Sequence, residues 1–166
     1  MGRDRTRQVS WEDPVEAAGV GATLAGIDYL RAMRSGKLPA APVMRLLGFE
    51  LAEVEPGRAV FTIDPGEHLY NPIATVHGGV IATLLDSAMG CAVHSLLPRG
   101  RGYTTLEFQV HLVRAVTRDS GAMRAIGTVI HQGGTIATAE ARLLDAQERI
   151  HAHATTTCLL RGPRSP

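Results

Sequence analysis

The stretch HGGVIATLLDSAMGCAVHSLL, residues 77–97, constrains the fold of this chain more than any other. It is long enough for about five helical turns and is apolar on nearly every side, so a helix made from it must be wrapped by other structure. Asp86 interrupts it. A carboxylate in such surroundings is costly unless it is paired or has a task. It is either a candidate for chemistry or an acceptor for Ser87, Thr83 or a threonine of a neighbouring strand. The start of the helix is the second feature. His77-Gly78-Gly79 opens it, where the first amides have no intrahelical acceptor and the macrodipole adds partial positive charge. Glycine lets another group approach the backbone closely. An amide at Gly78 or Gly79 is suited to a carbonyl oxygen gaining negative charge, unless the glycines serve only a tight entry to the helix.

The flanking segments are strand-like. FELAEV and RAVFTI surround the turn Glu55-Pro56-Gly57. After the helix, TTLEFQVHLVR alternates, with Leu106, Phe108, Val110 and Leu112 on one expected face. GAMRAIGTVIH, GGTIATAEARLLD and RIHAHATTTCLL follow, divided by Asp119-Ser120-Gly121, Gly133-Gly134 and Asp145-Ala146. Two strands, a buried helix and four strands make an α+β chain in which one curved antiparallel sheet wraps a central apolar helix. Ahead of them lies an N-terminal helical extension, residues 1–45. Asp13-Pro14 reads as an N-cap followed by proline, Leu24, Ile27 and Leu30 recur at helical spacing beside Tyr29 and Met33, and Gly36 is a stop. LPAAP, residues 38–42, is a stiff extended connector that either tethers or lines a pocket. Residues 46–160 form the main domain and 161–166 a frayed tail.

Several function classes drop out. The formal net charge is +1, which offers no basic face for nucleic acid, and nothing in the first 45 residues resembles a basic recognition helix. No run approaches the roughly 18 apolar residues of a membrane span. The charged start MGRDRTRQVSWEDP is followed by no apolar segment of a secretory signal. Cys91 and Cys158 form no CxxC motif; buried thiols in a reducing cytosol are expected, with a bridge left open. A cytoplasmic location is expected. His151 and His153 read as sharing a strand face, yet no third ligand accompanies them, so no metal is expected. His94 and His111 receive no assignment.

Gly78 and Asp86 are eight residues apart, about 12 Å along a helix axis at roughly 1.5 Å per residue. A side chain leaning toward the N-terminus recovers only part of that distance. Both groups acting on one carbonyl need reacting atoms near 3–3.5 Å. Two antiparallel central helices related by a two-fold axis would bring Gly78 of one subunit to Asp86 of the other. If the pair is catalytic, the protein is at least a homodimer.

The run Asn71-Pro72, then His77-Gly78-Gly79, then Leu85-Asp86 resembles the acyl-CoA thioesterases of the hot-dog fold, of the phenylacetate-pathway, 4-hydroxybenzoyl-CoA thioesterase-like type. The likeness covers about Leu47 to Leu160. It implies that the Gly78 amide donates to the thioester oxygen, that Asp86 is the catalytic carboxylate, that Asn71 is a polar residue of the site and that His77 holds the loop. It also implies a Ser or Thr early in the next strand that orients water or the carboxylate; Thr105 matches best and Thr104 second. Ala74 stands where that family often has glycine, and Gly134 where it often has arginine, which removes one contact to CoA. Gly79, Thr104, Arg114, Gly133 and Gly134 are the expected substrate-binding residues, with Arg101 and Arg118 as further candidates for the phosphates.

The resulting expectation is hydrolysis of an aryl-acetyl or medium-chain acyl-CoA to the free acid and CoA. No cofactor is expected beyond the CoA that the substrate carries. Asp86 would act either as general base toward water or as nucleophile. A homotetramer built as a dimer of dimers is the expected assembly. Two alternatives are an enoyl-CoA hydratase of the same fold and a non-catalytic acyl-CoA-binding protein. The hydratase expects Asp and His within one short loop, and Asn71-Pro72-Ile73-Ala74-Thr75-Val76 supplies neither.

Overall fold

The computed structural model describes residues 5–162. Residues 1–4, which begin the charged N-terminal segment, and residues 163–166, most of the expected frayed tail, lie outside the described residues. The elements are α1 (Pro14–Gly21), α2 (Gly26–Arg34), α3 (Pro42–Leu47), β1 (Phe49–Glu55), β2 (Arg58–Ile63), α4 (Gly78–His94), β3 (Gly102–Leu112), β4 (Met123–Gln132), β5 (Ile136–Leu144) and β6 (Ile150–Arg161). All six strands pair antiparallel in one sheet of order β1-β2-β4-β5-β6-β3. The expected α+β arrangement is the one observed. No helix among the described residues is long and apolar enough to cross a membrane.

Small residues on the inner face of the sheet let α4 lie close. Ala59, Ala125, Ala137, Ala139, Ala141, Ala152 and Ala154 are all buried beneath it. Gly127 marks the tightest approach: a Cβ there would stand 2.3 Å from the Ala88 carbonyl oxygen. The helix answers with Ile81, Leu84, Leu85, Ala88, Met89, Ala92 and Val93, all buried, at the i, i+3, i+4 spacing of one face. The opposite face, with Ala82, Thr83, Asp86 and Ser87, is only half-buried. Within one protomer the helix is therefore not wrapped all round, although its composition would suit that.

Bulges bend the sheet round the helix, with register shifts in the β1–β2, β3–β6, β4–β5 and β5–β6 pairs. Two of them correct the sequence reading. In β3, Leu106 falls out of register between Thr105, opposite Cys158, and Glu107, opposite Thr157. The helix-facing series is thus Thr105, Phe108, Val110 and Leu112, and Leu106 does not continue it. In β6, the shift between Leu143 and Leu144 of its neighbour leaves His151 buried and His153 exposed. The two imidazoles do not share an environment.

Each histidine has other partners. His151 reaches the Ala115 carbonyl through Nδ1 and the Asp145 carboxylate through Nε2, both at 3.1 Å. Asp145 also accepts from the amides of Gln147 and Arg149 and from Arg149 Nε. Burial opposes its ionisation, yet the Arg149 amide, His151 and the Arg149 side chain hold Asp145 well below the usual carboxylate range. This cluster closes the β5–β6 hairpin. His153 stacks on His111 of β3, with ring centroids 4.7 Å apart.

At the N-terminus, Asp13 caps α1 by accepting from the Val15 amide, with Pro14 in the first turn. Gly36 follows α2 with φ +75°. The start of α2 is clamped to the end of α4. Gly26 N donates to Leu97 O, and a Cβ on Gly26 would overlap the His94 carbonyl at 1.8 Å. The short α3 was not anticipated from sequence. Pro42 opens it and Gly48, with φ +77°, ends it, a start and stop lost beside the prolines of the connector. Both cysteines are free.

Gly127→Ala is expected to lower stability by roughly 1–3 kcal/mol, because the new methyl meets helix backbone rather than a movable side chain. Urea unfolding followed by circular dichroism measures this. An unchanged midpoint would contradict the close seating of α4.

Candidate functional site

The loop ahead of α4 is built by Asn71. Its Oδ1 accepts from the amides of Ile73 and Thr75, and its Nδ2 donates to Thr75 Oγ1 at 2.9 Å. Ala74 takes φ +61° within this turn, a conformation that favours glycine. The loop is anchored by Val76 N to Val116 O and by His77 N to Leu69 O, both at 2.8 Å. Asn71 therefore acts on its own loop and makes no bond to Asp86 in the protomer.

His77 is the N-cap of α4. Its Nδ1 accepts from Gly79 N at 2.9 Å, which places the ring proton on Nε2. Val80 N and Ile81 N both donate to the His77 carbonyl. The capping leaves one amide over. Among the described residues no acceptor meets the Gly78 N–H, which sits in the first turn and at the positive end of the helix dipole. Gly79, expected as a second donor to substrate, is instead engaged by the histidine.

Two turns on, Asp86 is half-buried and accepts a hydrogen bond from Thr105 Oγ1 at 3.1 Å. The competing acceptor role for its own helix is not realised. Ser87 Oγ donates to Thr83 O, and Thr83 Oγ1 to Gly79 O. Burial raises the Asp86 carboxyl above the ordinary aspartate range, while the Thr105 bond pulls it down. The β3 bulge is what allows Thr105 to face the helix. Thr104, one residue earlier, lies opposite Leu159 on the outer side of the sheet, so alternation removes it from the site.

Asp86 and Ser87 line a cavity of about 350 Å³ whose other walls include Leu30 and Met33 of α2, Met44 of α3, and Tyr103. Sequence reasoning did not single out Tyr103 or Tyr29 for this cavity, and His94, read as near the helix end or the site, was given no role there. The T-shaped contact of Tyr29 with His94, at 5.7 Å, depends on where α2 docks, which no local pattern reveals. Cys91 is also on the wall, but burial and the nearby Asp86 push its thiol up to about 12. It is no nucleophile at neutral pH. Asp86, half-buried on the same wall, is the carboxylate there.

The expected substrate-binding residues are scattered within one protomer. Arg114 is exposed just beyond β3, at the end of the sheet where Leu112 approaches Gly78. Gly133 and Gly134 form the β4–β5 turn at the other end, beside the C-terminal end of α4. There Gly133 N donates to Ile136 O, and Gly134 O accepts from Arg101 Nη2. The Gly133 amide is thereby turned to Ile136 rather than to Asp86. Arg118 pairs with Asp119 at 3.7 Å.

The sequence pattern of the thioesterase superfamily matches residues 74–152. Just under half of the chain thus carries the thioesterase-superfamily pattern, and the chain has the hot-dog fold. Within this thioesterase-superfamily segment lie Gly78, Asp86 and Thr105; Asn71 and the three N-terminal helices lie outside it. Among relatives, a Halobacterium salinarum protein provisionally named an esterase is 29% identical over 125 residues, 72% of this chain and 81% of its own. The 1,4-dihydroxy-2-naphthoyl-CoA hydrolase of Listeria monocytogenes is 25% identical over 105 residues, 63% of this chain and 83% of its own. The E. coli PaaI protein from the phenylacetic acid degradation operon superposes with a TM-score of 0.72. It covers 85% of this chain and 98% of its own at 20% identity, which speaks to fold alone.

Thr105→Val removes the one donor to Asp86 among the described residues while keeping its shape. The carboxyl then loses its lowering influence and rises further, so the fraction ionised falls at a higher pH on acidification. The acid limb of the kcat/KM profile for thioester hydrolysis is expected to move upward in pH. A limb that stays in place would separate Thr105 from the ionisation of Asp86.

Proposed function

We propose that the chain hydrolyses acyl-CoA thioesters, as a homodimer in which each site joins Gly78 of one protomer to Asp86 of the other. The observation that carries this is the division at the start of α4: His77 occupies the Gly79 amide and leaves the Gly78 amide unpaired. A half-buried carboxylate on the same helix stands beside a cavity. The wider hydrolase assignment follows from the superfamily. The CoA thioester is the finer reading, supported by the named activity of the Listeria relative, whose acyl group is aromatic.

The need for a second protomer rests on length and exposure. Gly78 and Asp86 lie on one continuous helix, about 12 Å apart along its axis, too far to act on one carbonyl. Among the described residues strand β3 is the sheet edge beyond β6, eleven residues long with no strand on its outer side. It carries Leu106 and Leu112, 56% and 55% exposed, with Phe108 between them. Long apolar edges of this kind are rarely left open. A two-fold axis beside β3 would cover Phe108, Leu112 and the open face of α4 together. Association of two such dimers into a tetramer remains part of the proposal through the family resemblance.

In the reaction the Gly78 amide receives the developing oxyanion. Asp86, ionised and held by Thr105, takes a proton from water as its oxygen bonds to the carbonyl carbon. The C–S bond then breaks and the thiolate leaves as CoA, taking up the proton. Alternatively Asp86 attacks the carbonyl itself and water hydrolyses the mixed anhydride. Single turnover in ¹⁸O-water tests the second route, since label entering Asp86 requires an anhydride opened at the Asp86 carboxyl carbon and excludes direct attack by water. An aryl-acetyl or medium-chain acyl group in a cytoplasmic setting completes the reading.

Asp86→Asn is expected to reduce turnover by about 10³-fold or more, with fold and assembly retained. Gly78→Pro deletes the free N–H at a helix position that tolerates proline, and is expected to lose activity as well. Mixing and refolding the two inactive proteins should restore roughly a quarter of wild-type activity, because mixed dimers hold one intact site. No recovery on mixing would place both groups in one chain or neither in the mechanism.

A further inference from the structure

The cavity at Asp86 has a neighbour. A larger one, of about 550 Å³, lies between the α2–α3 connector, at Leu38, Pro39 and Ala40, and the start of β1. Met33 and Met44 line both cavities. They are 9% and 7% exposed, from helices α2 and α3 respectively. Resting on the acyl-CoA reading above, we propose that these two methionines form a deformable partition that sets the length of acyl group accepted beside Asp86.

Size supports a partition. Ligand pockets run from roughly 300 to 1,000 Å³, so the inner cavity alone stands at the small end and suits one ring or a short chain. The outer cavity would be needed for a longer tail. Chemistry supports a side-chain device rather than a moving helix. The start of α2 is fixed by the contact of Gly26 with the end of α4, at Leu97 O and the His94 carbonyl. Methionine is unbranched, with three rotatable side-chain bonds, and can yield without moving the backbone. The outer cavity is also rimmed by charge, with Arg34, Lys37 and Arg45 set among Glu12 and Glu50. An apolar tail entering it meets a wet, polar mouth, so the partition marks the end of the favourable burial. These residues all precede the superfamily-matched segment, so selectivity is carried by the N-terminal extension and chemistry by the remainder.

The test is a thiol-release assay with purified wild type, Met33→Ala, Met44→Ala and Met44→Trp. The substrates are phenylacetyl-, butyryl-, hexanoyl-, dodecanoyl- and palmitoyl-CoA, with Asp86→Asn as control. Wild type is expected to favour phenylacetyl or hexanoyl over palmitoyl, since each methylene that does not fit costs roughly tenfold or more. Each alanine variant should raise the dodecanoyl-to-hexanoyl ratio of kcat/KM by about tenfold, and the tryptophan variant should lower it. A structural role alone would change all substrates together and leave the ratio fixed. If an alanine variant does not fold, the tryptophan variant still reads the ratio. Ratios unchanged in the folded variants, with hydrolysis present in wild type and absent in Asp86→Asn, would overturn the partition and leave the thioesterase reading standing. A wild type that releases no thiol from any of these substrates overturns both.

Discussion

The seating of α4 on an alanine-lined sheet is the contact on which the rest of the molecule depends. Because Gly127 and the buried alanines bring the helix backbone down onto the strands, its large apolar side chains all go to one side. The other side is left to small and polar residues, among them Asp86. Burial of that carboxyl is therefore partial. It is enough to raise it, and the bond from Thr105 is not enough to offset this fully. A helix sunk deeper would have made Asp86 too costly to ionise, and one standing further off would have made it an ordinary surface aspartate.

The same helix explains why the histidine before it matters. A helix begins with amides lacking partners, and a chain can satisfy them all with side chains or leave one for a ligand. Here Nδ1 of His77 binds the Gly79 amide, and the residues after it turn to the His77 carbonyl. The Gly78 amide is the remainder. Asn71 contributes from further back by closing the loop through Ile73 and Thr75, so that His77 enters at a fixed angle. A polar residue can thus belong to a site while touching no reacting atom.

The parts of this arrangement legible in the sequence were those with a local signal. A long apolar run with a glycine entry, strands of alternating character and the turns between them identify helix, sheet and order without ambiguity. Thr105 was legible only as one of two neighbours. What chose it was the bulge at Leu106, and a bulge depends on how β3 registers against β6, a non-local fact. The paired reading of His151 and His153 failed for the same reason, because the register shift beside Leu144 turned one of them inward to Asp145. The amides of Gly79 and Gly133 looked available because glycine advertises freedom. Whether a given N–H is free depends on which acceptor folds back on it, and here His77 and Ile136 do.

The exposed edge of β3 and the open face of α4 lie on one flank, and this links architecture to chemistry. A chain that needed no partner could have covered Leu106, Phe108 and Leu112 with a seventh strand or with its own N-terminal helices. Instead α2 and α3 are committed to the other edge, against β1, and α2 also to the end of α4. With Tyr103 at the start of β3 they wall the cavity beside Asp86, and they leave Leu106, Phe108 and Leu112 further along that strand exposed. The unpaired Gly78 amide and the Asp86 carboxylate, held two turns apart on a rigid rod, cannot converge by bending it. A second copy of the rod, reversed, brings unlike ends together without distorting either. The surface that asks to be covered is thus the one whose covering would complete the site.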